Sequence, residues 1–187
     1  MKNFSTKTII ISVIGLVLVL WVWSSYNSLI KASIAVDTQW AQVETVYQRR
    51  FDLIPNLVAS VQGVMKQEKE VFLAIAEART RYSGATTPNE KAAAATQVEG
   101  ALGRLLVITE NYPVLKSSDA VQTLMAQLEG TENRISVERS RFNEQVSAYN
   151  LTTRTFPKNL IAKIFGFEAK SLFTAQGGAE NAPKVNF

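Results

Sequence analysis

The chain has 187 residues, 47% of them hydrophobic, carries a net charge of +4 and contains no cysteine or histidine. Once a membrane anchor is set aside, this length holds one domain of ordinary size. The missing residue types exclude disulfides, thiolate nucleophiles, histidine bases and thiolate or imidazole metal ligands, so most hydrolase and metalloenzyme mechanisms lack their usual groups. No basic stripe with interleaved aromatic residues is present, and we expect no nucleic-acid partner.

An apolar run near the amino terminus, Ile9 to Trp23, is interrupted only by Ser12 and Gly15. With its flanks it covers residues 8–26, about 19 residues, close to the ~20 that cross a bilayer as a helix. We predict an uncleaved transmembrane anchor, preceded by a positively charged tail over residues 1–7. A cleaved signal peptide is the alternative, although tryptophans are unlike its small-residue cleavage region. The predicted boundary residues are a lysine at one end and aromatic rings at the other: Lys7, Trp21, Trp23 and Tyr26.

The lysines that flank the span predict its orientation. Lys2 and Lys7 lie on the amino-terminal side, whereas only Lys31 lies close to the other end. Positive-inside counting therefore favours a cytoplasmic amino terminus and export of the remainder of the chain. The opposite orientation, with that remainder in the cytoplasm, is the alternative because the difference in charge is small.

Apolar residues between 27 and 150 recur at intervals of three and four, which predicts amphipathic helices. The anchor should continue directly into the first of these helices, because no proline or glycine separates them. This helix should end near Arg49, since Pro55 has no amide proton and its ring clashes with the carbonyl four residues earlier. A second helix should begin near Asp52, with Pro55 in its first turn, and end near Ser83.

The boundaries of two further helices follow from local signals. Thr87, Pro88 and Glu90 match a capping box with proline at the first helical position, so the third helix should begin there. It should end before Pro113, and a fourth helix should begin near Asp119. Short connections favour antiparallel packing, so the predicted fold is all-α: an N-terminal transmembrane helix followed by an antiparallel four-helix bundle of long helices over residues 27–150.

Residues 151–175 combine lysines with large apolar side chains. A helix of this composition can lie on a bilayer, with apolar side chains toward lipid and lysines toward headgroups. The same side chains can instead dock across the bundle and complete its core, which is the arrangement that we favour slightly. Both alternatives use the same residues: Phe156, Lys158, Leu160, Ile161, Lys163, Ile164, Phe165 and Phe167. Residues 176–187 are predicted to be disordered.

The charged residues indicate no catalytic, cofactor or metal site. Carboxylates on the predicted helices lack the Glu-x-x-His histidine of di-iron bundles, so we expect solvated or paired surfaces: Glu68, Glu70, Glu77, Glu132 and Glu138. The arginines Arg49, Arg50, Arg79 and Arg81 are expected to cap helices or to pair at the surface rather than to bind phosphate. Charged residues from Glu132 to Arg141 are expected to pair along the fourth helix.

Several segments give the chain a family resemblance: RRFDLIPNLV at Arg49 to Val58, ENYPVLKSSD at Glu110 to Asp119, LEGTENRISVERSRFNEQVSAYN at Leu128 to Asn150, and FPKNLIAKIFGF at Phe156 to Phe167. From about Tyr26 to Phe173 the chain resembles the LemA family of bacterial membrane proteins. The resemblance implies one amino-terminal membrane anchor, four antiparallel helices and no established catalytic activity. We predict that the anchor lies in the bacterial inner membrane. One branch of the family is associated with magnetosome membranes, and some members are encoded near an integral-membrane metalloprotease.

The sequence departs from the family pattern at two positions. Gln67 precedes Glu68 where a histidine is frequent, and Phe51 replaces a frequent alanine. A family function that used this histidine is not expected here.

We therefore predict a non-catalytic, membrane-anchored scaffold or adaptor of the bacterial envelope. Its expected partners are the lipid bilayer, other membrane or envelope proteins and further copies of itself. The alternative is a lipid-surface or membrane-remodelling protein that acts through its amphipathic C-terminal segment. A hydrolase that uses carboxylates alone is the least favoured function.

Overall fold

The computed structural model describes residues 6–173, and every regular element within that range is an α-helix. The prediction of an all-α protein is therefore confirmed for this part of the chain. The predicted disordered tail, residues 176–187, lies outside the described residues, as does most of the charged tail over residues 1–7. The helices are α1 (Thr6–Gln62), α2 (Lys69–Gly84), α3 (Pro88–Thr109), α4 (Pro113–Lys116), α5 (Asp119–Arg154) and α6 (Lys158–Phe165).

Helix α1 contains 57 residues and joins the apolar stretch to the following amphipathic residues without interruption. This continuity was predicted from the sequence and is confirmed. Large apolar side chains from Ile9 to Leu20 are each at least 51% exposed. Within the described residues, α1 is the helix long and apolar enough to cross a membrane. An apolar helix surface of this length, left uncovered by protein, is the surface that bilayer hydrocarbon covers.

The predicted helix break between Arg49 and Pro55 is wrong, because α1 continues through Pro55 to Gln62. Proline removes one helical hydrogen bond and costs roughly 3 kcal/mol or more in a helix interior. Phe51, Ile54 and Leu57 are nevertheless buried on one side of this segment, whereas Pro55 itself is exposed. Burial of each large apolar side chain contributes roughly 1.5–3 kcal/mol, so packing on both sides of the proline outweighs the local cost.

The chain leaves helical conformation later than predicted, between Gln62 and Lys69. The amides of Val64 and Met65 both donate to the carbonyl of Val61, at 3.1 and 3.0 Å. Met65 is fully buried, which fixes this connection against the core. The second predicted helix is consequently divided between the end of α1 and the shorter α2.

The predicted start of α3 is confirmed. The amide of Glu90 donates to Thr87 Oγ1 at 3.2 Å, and the amide of Thr87 donates to Glu90 Oε2 at 3.1 Å, which completes the capping box. The backbone amides of Thr86 and Thr87, which both donate to Glu90 Oε2, lower the pKa of the Glu90 carboxyl. Helix α5 begins at Asp119 as predicted. The single turn α4 at Pro113 was not predicted.

Two compact units divide the chain. The first comprises Met1–Gln39 with Phe142–Ser171, and the second comprises Trp40–Arg141 with Leu172–Phe187. Helices α1 and α5 contribute residues to both units. The first unit contains α6, and the second contains α2 and α3, which pack along each other. Fully buried core residues of the second unit include Tyr47, Leu57, Val61, Val98, Leu105 and Ile135.

Candidate membrane-surface site

The C-terminal residues predicted to contact membrane or protein lie on α6 and its flanks, in the first unit. Helix α6 ends at Phe165 and is followed by the capping residue Gly166, whose φ of 74° is left-handed. A residue with a Cβ is strained in this conformation, so glycine suits the helix end. The amide of Phe167 then donates to the carbonyl of Ala162 at 2.9 Å. This turn directs Phe167 back toward α1, where its ring lies 5.8 Å from that of Tyr26.

One side of α6 packs against α1. Ile161 and Ala162 are 4% and 2% exposed and form a hydrophobic cluster with Leu29, which is fully buried. The centres of the Phe165 and Tyr26 rings lie 4.9 Å apart. Partly buried side chains surround this cluster: Trp21, Val22, Tyr26 and Phe167. Two of them, Trp21 and Tyr26, belong to the predicted membrane boundary. The structure thus brings together two sets of residues that the sequence presented separately.

The other side of α6 leaves large apolar side chains uncovered. Phe156, Leu160 and Ile164 are 74%, 52% and 74% exposed. They are spaced four residues apart, so Leu160 and Ile164 lie on one helix face and Phe156 precedes them. Lys163 is exposed beside them. One side of α6 is therefore docked on α1, and the opposite side leaves large apolar side chains exposed.

The remaining predicted residues occupy distinct places. Lys158 Nζ donates to Ser28 Oγ at 2.9 Å, which ties the first turn of α6 to α1. Trp23 is 66% exposed, whereas Trp21 and Tyr26 are half-buried. Lys7 is exposed at the opposite end of the apolar stretch and does not join this site.

Sequence reasoning missed the residues that hold the chain after α6. Asn150 and the backbone of Lys170 exchange two hydrogen bonds of 2.8 Å. Lys170 Nζ also donates to Asp37 Oδ1 at 2.6 Å and lies 5.3 Å from the centre of the Tyr149 ring. Burial, followed by the charges of Asp37 and Glu168, raises the pKa of Tyr149. No periodic signal connects Lys170 with Asn150 or Asp37, so only the structure could identify these contacts.

A cluster of charged residues lies in the second unit. Arg50 is buried and pairs with Glu132, and its Nη1 lies 3.7 Å from Glu99 Oε1. Arg139 donates to Glu99 at 2.8 Å and to the Tyr47 hydroxyl at 2.8 Å. The expectation that Arg50 is a surface or capping residue is wrong, because its position on α1 directs it into the space between helices. Glu132 and Arg139 likewise pair across helices rather than along α5.

The pairing expected along α5 is observed for Arg141 and Glu138, at 2.8 Å. Within the interhelical cluster, burial raises the pKa of Glu99, and the arginines Arg139 and Arg50 oppose this shift. Burial also raises the pKa of the Tyr47 hydroxyl. The cluster borders a groove of about 590 Å³ whose apolar lining includes Leu102 and Leu106. Among the described residues, no acidic group is arranged to hold a metal ion.

Comparison with known protein families matches residues 39–187 to the LemA family. The chain belongs to the LemA family. It is also similar to "Magnetosome protein MamQ 2" of Paramagnetospirillum magneticum, at 26% identity over 174 residues that cover 79% of this chain and 64% of that relative. "Magnetosome protein MamQ" of Magnetospirillum gryphiswaldense is 37% identical over 73 residues, which cover 39% of this chain and 27% of that relative. The LemA-family chain thus spans less than two thirds of the length of these relatives.

The family and the apolar first half of α1 together identify a helical membrane protein. Exposed apolar residues on α6 lie within the family match, whereas the apolar span precedes it. The contact between α6 and α1 consequently joins a family segment to the membrane anchor.

Proposed function

We propose that this LemA-family protein is a non-catalytic, membrane-anchored scaffold or adaptor of the bacterial envelope. The observation that carries the proposal is α1, in which an apolar span continues without a break into residues of both compact units. An uninterrupted helix is a direct mechanical connection between a bilayer and folded helices. A chain without histidine or cysteine is also poorly equipped for general-base or thiol chemistry.

We further propose that the long helices form an antiparallel four-helix bundle over residues 27–150. Packing of α2 along α3 supports this arrangement, as do the short connections at residues 85–87 and 110–118. Short connections favour antiparallel neighbours. In this arrangement residues 8–26 are the anchor and residues 151–175 are an additional segment beside it.

The proposed membrane is the bacterial inner membrane, with the folded residues on its outer, periplasmic side. Positive-inside counting applies to residues within about 15–20 of the span. Lys2 and Lys7 outnumber Lys31 within this distance. Lys158 and Lys163 are more than 100 residues from the span in the sequence, so they are not included in the positive-inside count. Labelling from one side of the membrane distinguishes this orientation from the cytoplasmic one.

Exposed apolar side chains in the second unit supply candidate contacts for protein partners or for further copies of the chain. Leu73, Val107 and Val114 are 60%, 66% and 68% exposed. A scaffold is expected to cover such side chains when it is assembled, because apolar area removed from water stabilises association. These residues therefore define the positions at which a neighbour should be detected.

Photo-cross-linking in intact membranes tests the scaffold proposal. A photoreactive amino acid is placed at Leu73, Val107 or Val114 in the full-length protein, with exposed Glu77 and Glu110 as matched control positions. We expect discrete adducts from the apolar positions, either with another envelope protein or with a second copy. Recovery of monomers alone from all five positions would contradict the proposal.

A second candidate function, a lipid-surface or membrane-remodelling role for residues 151–175, is favoured by one specific observation. The exposed side chains of Leu160 and Ile164 belong to a helix that packs beside the boundary residues Trp21 and Tyr26. If α1 spans a bilayer, the exposed face of α6 lies near the membrane surface, where lipid can cover its apolar side chains.

A further inference from the structure

We propose that α6 binds the bilayer interface through a defined surface, and that this surface prefers anionic phospholipids. The α6 lipid surface consists of Phe156, Leu160, Lys163 and Ile164, with Lys31 of α1 as an additional cation. This inference rests on the second candidate function and specifies its ligand. In this proposal, one face of α6 packs on α1 and the opposite face contacts lipid.

The depth of α6 relative to the span follows from its packing. Ile161 and Ala162 contact the end of the apolar stretch near Trp21 and Tyr26, not its middle. Tryptophan and tyrosine rings favour the headgroup region of a bilayer. Eight helical residues extend about 12 Å, so every residue of α6 stays within about 12 Å of this level. Helix α6 therefore lies at the membrane surface when α1 spans the bilayer.

The pattern of exposure shows which face meets the lipid. Leu160 and Ile164 point away from the cluster around Leu29, since they are more than half exposed while Ile161 and Ala162 are buried. Phe156, which lies just before α6, is also 74% exposed. Acyl chains and the glycerol region of a bilayer can remove this apolar surface from water. In this proposal, lipid contacts both the exposed face of α6 and the adjoining apolar stretch of α1.

Exposed cations on α6 and on the adjoining part of α1 favour anionic headgroups. Lys31 and Lys163 are exposed, and neither has a carboxylate within 4 Å among the described residues. Lys170, in contrast, is already paired with Asp37. Lys31 lies about 7 Å beyond Tyr26 along α1, which is within the headgroup layer. Cations at this level attract anionic lipid phosphates.

Because the chain lacks cysteine, single introduced cysteines allow the depth of this surface to be measured in the full-length protein. Leu160→Cys and Ile164→Cys are each spin-labelled and reconstituted into nanodiscs of phosphatidylcholine with phosphatidylglycerol. Collisions with oxygen report bilayer, and collisions with a water-soluble nickel chelate report solvent. Glu168→Cys is the matched control, since Glu168 is exposed just beyond α6.

We expect the labels at positions 160 and 164 to favour oxygen and to exclude the chelate, and the label at position 168 to favour the chelate. Equal chelate access at positions 164 and 168 would overturn the proposed surface. Shielding of position 164 in native membranes but not in nanodiscs would identify a protein, not lipid, as its occupant and would also overturn the proposal.

The preference for anionic lipid has its own test. Energy transfer from a fluorophore on Ile164→Cys to labelled phosphatidylglycerol or phosphatidylcholine reports which lipid is enriched nearby. We expect enrichment of phosphatidylglycerol, and its loss when Lys31→Gln and Lys163→Gln are combined. The control pair Lys69→Gln and Lys116→Gln, exposed residues of the second unit, should leave it unchanged. Equal transfer to both lipids in the unsubstituted background would overturn the anionic preference.

These outcomes are separate from those of the proposed functions. Cross-links from Leu73 or Val107 together with a solvent-exposed position 164 would reject the α6 lipid surface and leave the scaffold intact. An embedded position 164 with no change in vesicle shape on reconstitution would support the lipid surface and count against membrane remodelling.

Discussion

Glu99 Oε1 lies 2.8 Å from Arg139 Nη2 and 3.7 Å from Arg50 Nη1. The Glu99 side chain is only 17% exposed. Burial disfavours the charged form and raises its pKa above the ordinary value of 4.5 despite both arginines. Between 4.5 and this raised value, the folded state binds more protons than the unfolded state. The contribution of Glu99 to the free energy of unfolding is therefore fully present below pH 4.5 and declines as pH rises through the folded-state pKa.

Replacement of Glu99→Gln tests this balance, because glutamine keeps the shape of the side chain without its titration. We expect the free energy of unfolding of the unsubstituted protein minus that of the variant to decrease as pH rises above 4.5, the ordinary pKa of the carboxyl. Urea unfolding of the full-length protein in mild detergent, followed by circular dichroism, measures this difference. Exposed Glu129→Gln should show no comparable trend. A difference that increases with pH would mean that the arginines outweigh burial.

Residues of this cluster show why pairing could not be predicted. The hydrogen bond between Arg50 and Glu132 joins positions 82 residues apart. A helical pattern indicates which face carries a charge, but not which helix faces it. Surface pairing was accordingly expected for residues that in fact bond between helices.

Among the helices, α1 is unusual because it contains a proline, the exposed Pro55, in its interior. Replacement of Pro55→Ala should raise the free energy of unfolding by up to about 3 kcal/mol, because the new amide can donate to the carbonyl of Phe51 and the ring clash is removed. Denaturant unfolding of the full-length protein measures this gain. Pro113→Ala is a suitable control, since Pro113 begins α4, where a missing amide costs little.

A loss of stability in the Pro55→Ala variant would contradict this account. It would show that the proline shapes α1 so that Phe51 and Ile54, both buried, can reach the core. The control variant would then separate this effect from a general effect of replacing proline.

The elements differ in how far local sequence determines them. Thr87 and Glu90 are three residues apart, and the side chain of each accepts a hydrogen bond from the backbone amide of the other. The start of α3 was therefore predictable from a few residues. Pro55 was misleading because a local cost competed with burial along a long helix, and that burial depends on distant parts of the chain. Helical character of residues 158–165 was anticipated, but the choice of α1 as their packing partner was not.

At the scale of the whole molecule, the sequence predicted the main parts but not their association. The span, its aromatic boundary and the amphipathic C-terminal segment were each recognisable. Their contact depends on pairs such as Lys158 and Ser28, which are 130 residues apart. The residues of the candidate membrane-surface site were therefore predicted as two groups, and the structure joins Trp21 and Tyr26 to α6.

In the proposed arrangement, α1 crosses the bilayer and leaves the remaining helices on one side of it. Val13→Cys within the apolar stretch and Leu73→Cys in α2 can be compared in sealed spheroplasts with a membrane-impermeant maleimide. We predict rapid labelling of the Leu73→Cys variant from outside, and labelling of the Val13→Cys variant only after detergent is added. Equally rapid labelling of both variants without detergent would contradict a membrane-spanning α1, and labelling of Leu73→Cys only after lysis would contradict export of the folded residues.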